Sequence, residues 1–247
     1  MTHRLDYRTW GDPSRPALTL LHAGALSWHE WEPFVETWSK RYFCIAPTAL
    51  GHGASPAVDR LSFPELGAAV ISLLDELQVP RTHLVGSSMG GVTSLYLATT
   101  QPERIDRLVL YRCSYRTGPA VAASLTVMQD PETWKRWGLE DTLRSLHDPQ
   151  GGPDAWRTVL RRVKELVATE PASFDLEAVR AVTAPTLVIC GDRDPLVPLE
   201  DAVTLYRSIP ASALWIVPGA THLISAETIR RPAFEQEILR FLSHPLP

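Results

Sequence analysis

Ser88 stands at the centre of Gly86-Ser87-Ser88-Met89-Gly90, where the apolar pair Leu84-Val85 stops and a helix-like segment begins. Small residues around a serine at such a junction permit a sharp strand-to-helix turn. That turn would strain the serine backbone and hold its hydroxyl clear of the sheet, as a nucleophile requires. Taken alone, the pattern also describes an ordinary helix start with serine capping. Two downstream stretches carry possible partners: Gly191-Asp192-Arg193-Asp194-Pro195 after one apolar run, and Pro218-Gly219-Ala220-Thr221-His222 after the next. A carboxylate and then a histidine behind successive strands supply a base and its orienting acid in the order Ser, Asp, His. Pro195 restricts the backbone of Asp194 to extended conformations that would aim its side chain one way. Asp192, beside the glycine, could instead cap the turn through its own backbone.

The elements that must position these residues alternate. Residues 3–10 alternate polar and apolar and are followed by a Gly11-Asp12-Pro13 turn, which predicts an opening edge hairpin. Ala17–Leu21 is a nearly continuous apolar run, the pattern of a strand covered on both faces. It ends in His22-Ala23-Gly24-Ala25, where small residues either let backbone N–H groups face a ligand as an oxyanion hole or mark a plain strand exit. A helix over 31–40, a strand over Tyr42–Ala46 closed by Pro47, and a helix led by the capping box Ser62-Phe63-Pro64-Glu65 follow. His52, between two glycines, reads as a structural hydrogen-bonding residue. After a strand over Asp106–Tyr111 the strand signal vanishes until Thr186–Cys190 and Ala213–Val217, and residues 232–242 form a last amphipathic helix.

These signals predict an α/β fold: a mostly parallel, doubly covered sheet with the site at the strands' carboxyl ends. Residues 1–114 and 183–247 would form the core domain, and 115–182 a helical cap inserted into it. Met128, Trp134, Trp137 and Trp156 of the cap are candidates for the lining of an apolar pocket, although a small helical insertion also needs packing residues of its own.

With 247 residues, 45% hydrophobic and 21% charged, the chain can bury a full core. A net charge of −4 and the lack of basic runs interleaved with aromatics argue against nucleic acid as a partner. The N-terminus lacks the apolar core of a signal peptide and no stretch reaches the roughly 18 apolar residues of a membrane span, so a cytoplasmic location away from membranes is expected. Cys44, Cys113 and Cys190 sit in or at the end of apolar runs without C-x-x-C spacing, and read as small buried hydrophobes.

Four motifs make the chain resemble the α/β-hydrolase superfamily over essentially its whole length. They are Leu21-His22-Ala23-Gly24, Gly51-His52-Gly53-Ala54-Ser55, the Gly86–Gly90 elbow, and Gly191-Asp192-Arg193-Asp194-Pro195-Leu196-Val197-Pro198. His222 falls where that family's histidine falls. The resemblance implies Ser88 as nucleophile, His222 as base and Asp194 as acid, with oxyanion donors from the N–H groups of Gly24 and Met89. Ala23, where the family usually has glycine, leaves the first donor open between Gly24 and Ala25. Thr48 and Thr221 also depart from the usual pattern, and neither belongs to the triad. The implied chemistry is transfer of an acyl group from a small substrate to water, without metal or organic cofactor. A small, largely apolar ester or lactone fits best; thioesters, C–C bonds beside a carbonyl and cofactor-free perhydrolysis remain open. A binding protein that keeps the hydrolase pocket is the non-enzymatic alternative.

Overall fold

The computed structural model describes residues 4–116, 119–126, 130–169, 174–223 and 226–244. Its strands are β1 (Tyr7–Trp10), β2 (Ala17–Leu21), β3 (Phe43–Pro47), β4 (Thr82–Ser87), β5 (Ile105–Tyr111), β6 (Thr186–Gly191) and β7 (Ser212–Val217). They form one sheet in the order β1-β3-β2-β4-β5-β6-β7. All neighbours are parallel except β1, which pairs antiparallel with β3 from Tyr7 opposite Pro47 to Trp10 opposite Cys44. This corrects the expected hairpin: β1 is an edge strand, but its partner is β3 and not the next strand in the chain. The turn at Gly11 therefore leads away from the strand it follows.

β2, β3 and β6 are buried along their whole length, which is why they read as unbroken apolar runs. Successive side chains serve opposite faces. Leu21, Leu84, Leu108, Leu110 and Val188 pack beneath helices α2 (Phe63–Glu76) and α3 (Met89–Thr100) in one core cluster. Leu18, Leu20, Val85, Val109 and Ile189 form the other with Phe34 and Trp38 of α1 (Glu32–Trp38). The Ser62 hydroxyl caps α2 by accepting from the Glu65 N–H at 3.3 Å.

Between β5 and β6 the described chain is helical: α4 (Pro119–Ser124), α5 (Pro131–Arg136), α6 (Glu140–His147), α7 (Ala155–Thr169) and α8 (Leu176–Arg180). Helix α9 (Leu199–Ser208) then separates β6 from β7, and α10 (Ala226–Ile229) and α11 (Arg231–Ser243) complete the order. Phe234, Ile238 and Phe241 of α11 join the cluster of α1. No described helix is long and apolar enough to cross a membrane.

Three buried histidines link the loops after β2 and β3 to each other and, through His147, to the helical segment between β5 and β6. His22 accepts from the Ala49 N–H at 2.8 Å through Nε2, and its Nδ1 lies 2.7 Å from the Ala23 carbonyl oxygen. His52 accepts from the Ala25 N–H at 3.2 Å, its Nδ1 lying 3.0 Å from the Leu50 carbonyl. His147, at the end of α6, accepts from the Gly53 N–H at 3.1 Å and places Nε2 2.9 Å from the Ala25 carbonyl. Gln150 adds bonds from Nε2 to the carbonyls of Gly53 and Ser55 at 2.8 and 2.6 Å. Each ring thus uses one nitrogen as acceptor and the other as donor, a pattern available only to neutral imidazole. Burial pushes His22 down to about 4, holds His52 well below its ordinary value and lowers His147.

Because these values are depressed on folding, the stability they confer is complete above the unfolded value of about 6.5 and is lost as pH falls below it. His22 alone should cost about 2 kcal/mol between pH 7.5 and pH 5, with His52 and His147 acting in the same direction. Urea midpoints at the two pH values measure the loss. In the folded protein the His22 Cε1 signal should stay near its neutral position down to pH 5, those of His52 and His147 should titrate below the ordinary histidine range, and titration near 6.5 would contradict this account.

Candidate active site

The carboxyl ends of β2, β4, β6 and β7 carry the residues singled out by the sequence. Ser88 lies between β4 and α3 with φ 52° and ψ −114°, a conformation that L-residues avoid unless the surroundings impose it. Here the surroundings do. A Cβ on Gly86 would lie 2.3 Å from the Gly90 carbonyl oxygen, and one on Gly90 would lie 2.3 Å from that of Leu21. Both glycines are required by the closeness of strand, turn and helix.

The Ser88 hydroxyl oxygen is 3.0 Å from His222 Nε2, and His222 Nδ1 is 2.8 Å from Asp194 Oδ2. His222 is 8% exposed and the Asp194 side chain fully buried. Asp194 Oδ1 accepts from the N–H groups of Leu196 and Val197 at 2.8 and 3.0 Å, so the carboxylate is oriented by its own turn. Asp192 turns elsewhere. Its Oδ1 accepts from the Gly219 N–H at 2.6 Å, tying the loop after β6 to the one that carries His222. This corrects its reading as a cap of its own turn.

The loop after β2 brings backbone N–H groups towards Ser88. The Ala23 N–H donates to Glu30 Oε2 at 2.7 Å and that of Ala25 to His52, so the flanking donors are taken and Gly24 lies between them. A Cβ at Gly24 would stand 2.7 Å from Val163 Cγ1, so glycine is what lets α7 lie close against this loop. Met89 opens α3, where N–H groups have no intrahelical acceptor.

These groups border a cavity of about 260 Å³. Gly24, Ala25, Ser88, Met89 and His222 line it together with Phe63, Val92, Leu196 and Val197, and the helical segment adds Val121, Leu125, Trp134, Leu139, Leu160 and Val163. Cys113 also lines it, but burial and then the Asp201 carboxylate raise its thiol far above the usual range and keep it protonated.

Of the proposed pocket residues, Trp134 lies in this lining. Trp137 does not: it is 43% exposed and meets Trp134 edge-on from outside, with ring centroids 5.5 Å apart. Trp156 is also outside the lining, buried with Trp134, Leu143 and Leu160 in the small core that holds the helices together. Met128 falls outside the described residues. The sequence reading missed Leu160, Val163 and Val167, which with Trp156 make an apolar stripe along α7 at helical spacing. It also missed Glu30 and Arg112, two charged residues in the lining that form a buried ion pair at 2.7 Å. A charged residue directly after the apolar run of β5 was the available signal.

The model of a family described as the alpha/beta hydrolase family matches residues 20–233. 3-Oxoadipate enol-lactonase 2 of Acinetobacter baylyi is 29% identical over 242 residues, covering 90% of this chain and 88% of that protein. Carboxylesterase YbfK of Bacillus subtilis is 26% identical over 249 residues, covering 94% of this chain and 82% of its own. The crystal structure of the enol-lactonase from Burkholderia xenovorans LB400 aligns with a TM-score of 0.79 at 22% identity, over 97% of this chain and 96% of that one, a likeness of fold.

Proposed function

The chain belongs to the α/β-hydrolase family and is a hydrolase, and from that premise we propose that it cleaves a small, largely apolar carboxylic ester or lactone through an acyl-enzyme on Ser88. The observation that carries this reading is the continuous hydrogen-bonded line from Ser88 Oγ through His222 to buried Asp194, at the wall of a mostly apolar cavity. In this mechanism His222 Nε2 takes the Ser88 proton as the oxygen attacks the acyl carbon. Asp194 accepts from Nδ1–H and stabilises the imidazolium that forms. The N–H groups of Gly24 and Met89 receive the developing oxyanion, and His222 returns its proton to the departing alkoxide. Water then attacks the acyl-enzyme, giving its proton to His222 and restoring Ser88 as the acid leaves.

We read residues 115–182 as a cap that closes this cavity and sets substrate range. The supporting observation is that α5 and α7 contribute Trp134, Leu160 and Val163 to the lining while the triad comes wholly from outside the segment. The lining is mostly apolar, with Arg116 and Lys164 as its cations from this segment, and an uncharged acyl chain or ring suits the apolar part because burying an unpaired charge there would cost its hydration.

A fluorophosphonate should add one adduct to the intact protein, seen by mass spectrometry and abolished in Ser88→Ala. An unlabelled protein, or label persisting in that variant, would favour the binding-protein alternative. A panel of esters, lactones, thioesters and C–C substrates then ranks the bond cleaved. On the best ester, Asp194→Asn should lose orders of magnitude in kcat, as the equivalent change in serine proteases loses about 10⁴. Asp192→Asn should lose far less, and the reverse ranking would reassign the acid.

Cap residues separate by position. Trp134→Ala should change the ratio of kcat/KM between long and short acyl chains by roughly 5- to 150-fold, the equivalent of about 1–3 kcal/mol. Trp137→Ala should leave that ratio unchanged, and an equal effect from both would move the pocket wall.

A further inference from the structure

Among the described residues, four besides glycine have positive φ, and three of them line the same cavity: Ala25 at 65°, Ser88 at 52° and Arg112 at 42°. Such strain persists where surrounding contacts over-determine it, and it gathers at functional sites. Ala25 and Ser88 belong to the proposed oxyanion loop and elbow. Arg112 has no part in the mechanism so far.

Arg112 follows β5 directly and is paired with Glu30 in the short helical turn Trp28–Trp31, the two side chains being 6% and 5% exposed. Burying both charges costs more than their attraction returns unless further hydrogen bonds satisfy the remaining atoms. Those bonds converge on the site. Arg112 Nη2 donates to Glu30 Oε1 at 2.7 Å, Nε donates to Ser87 Oγ at 2.9 Å, and Nη1 donates to the backbone carbonyl of His222. Glu30 Oε2 accepts the Ala23 N–H at 2.7 Å. One ion pair therefore holds the residue before Gly24, the residue before Ser88, and the main chain of His222 itself.

We propose that Glu30 and Arg112 are positioning residues for acyl transfer, a buried clamp that sets the oxyanion N–H groups, the Ser88 oxygen and the His222 ring in mutual register. The proposal rests on the acyl-transfer reading given above. The three clamped segments come from three separate strand ends; the ladder already holds Ser87 against Tyr111, while Ala23 and His222 lie in loops beyond the ends of β2 and β7. The guanidinium is suited to the remaining task because its planar fork fixes several acceptors at once, which a flexible ammonium cannot do. Misplacement of reacting groups by about 1 Å can cost on the order of 10² in rate, so the clamp's effect should fall on the chemical step.

The test compares the wild type with Glu30→Gln, Arg112→Lys and the double variant Glu30→Gln/Arg112→Met, at a temperature well below each unfolding midpoint. Reactive sites are counted by fluorophosphonate labelling and mass spectrometry. Each variant should show kcat per labelled site reduced 10- to 100-fold, with KM within about twofold of the wild type. Arg112→Lys should stay slow although the charge is kept, and the double variant should lose no more than the worse single one, since the pair acts as a unit. Glu30→Gln preserves side-chain shape and decides the matter if the arginine variants fail to fold. An unchanged kcat per site with lowered stability would make the pair a structural element and overturn the proposal. A raised KM with intact kcat would overturn it in favour of substrate contact. Failure of the acyl-transfer reading is distinguishable, because the wild type itself would then neither label nor turn over, and both proposals would fall.

Discussion

The approach of α3 to the end of β2 is the contact on which the site depends. The Gly90 N–H donates to the His22 carbonyl at 3.1 Å, and there is no room for a side chain at either Gly86 or Gly90. This closeness forces the chain from β4 into α3 within one residue, and that residue is Ser88. It also sets the loop after β2 beside the first turn of α3, so the N–H groups of Gly24 and Met89 border one cavity. Strain at Ser88 and convergence of backbone donors thus have one cause, a parallel strand pair and a helix packed closer than any β-carbon permits. Such strain costs of order 1–3 kcal/mol per residue and persists because the two sheet-face cores hold its surroundings in place.

Much of this was legible in the sequence because the signals were local. A strand covered on both faces is a continuous apolar run, and Ala17–Leu21 and Thr186–Cys190 were found that way. The order Ser88, Asp194, His222, each just past a strand end, fixed which side chains to compare. Pairing across the sheet was less legible. The alternation in residues 3–10 marks a strand, but nothing local says that Tyr7–Trp10 lies against Phe43–Pro47 and not against the strand that follows.

The helical segment shows a different limit. Tryptophan was a sound guide to burial there but a poor one to the cavity, because size rewards any dry location. Trp156 serves the packing of the segment and Trp137 remains half in water, while smaller residues on the cavity side of α7 form the wall. Glu30 and Arg112 escaped because a buried charge is intelligible only once its partner is known, and theirs lie 82 positions apart in the chain.

The same pairing governs the electrostatics of the cavity. Buried charge next to it is held in closed arrangements: Arg112 with Glu30, and Asp201 with Arg116 and the Ser114 hydroxyl. The neighbouring histidines are kept neutral chiefly by burial. In a low-dielectric pocket an uncompensated fixed cation would hold a ground-state anion as firmly as a transition state, so it would add binding without adding rate. Backbone dipoles behave differently, since they interact weakly with a neutral carbonyl and strongly with the oxyanion it becomes. On the acyl-transfer reading proposed above, a site whose buried charges Arg112, Glu30 and Asp201 are held in pairs, and which sets N–H groups beside a strained serine, favours the charge that appears during reaction over charge already present on the substrate.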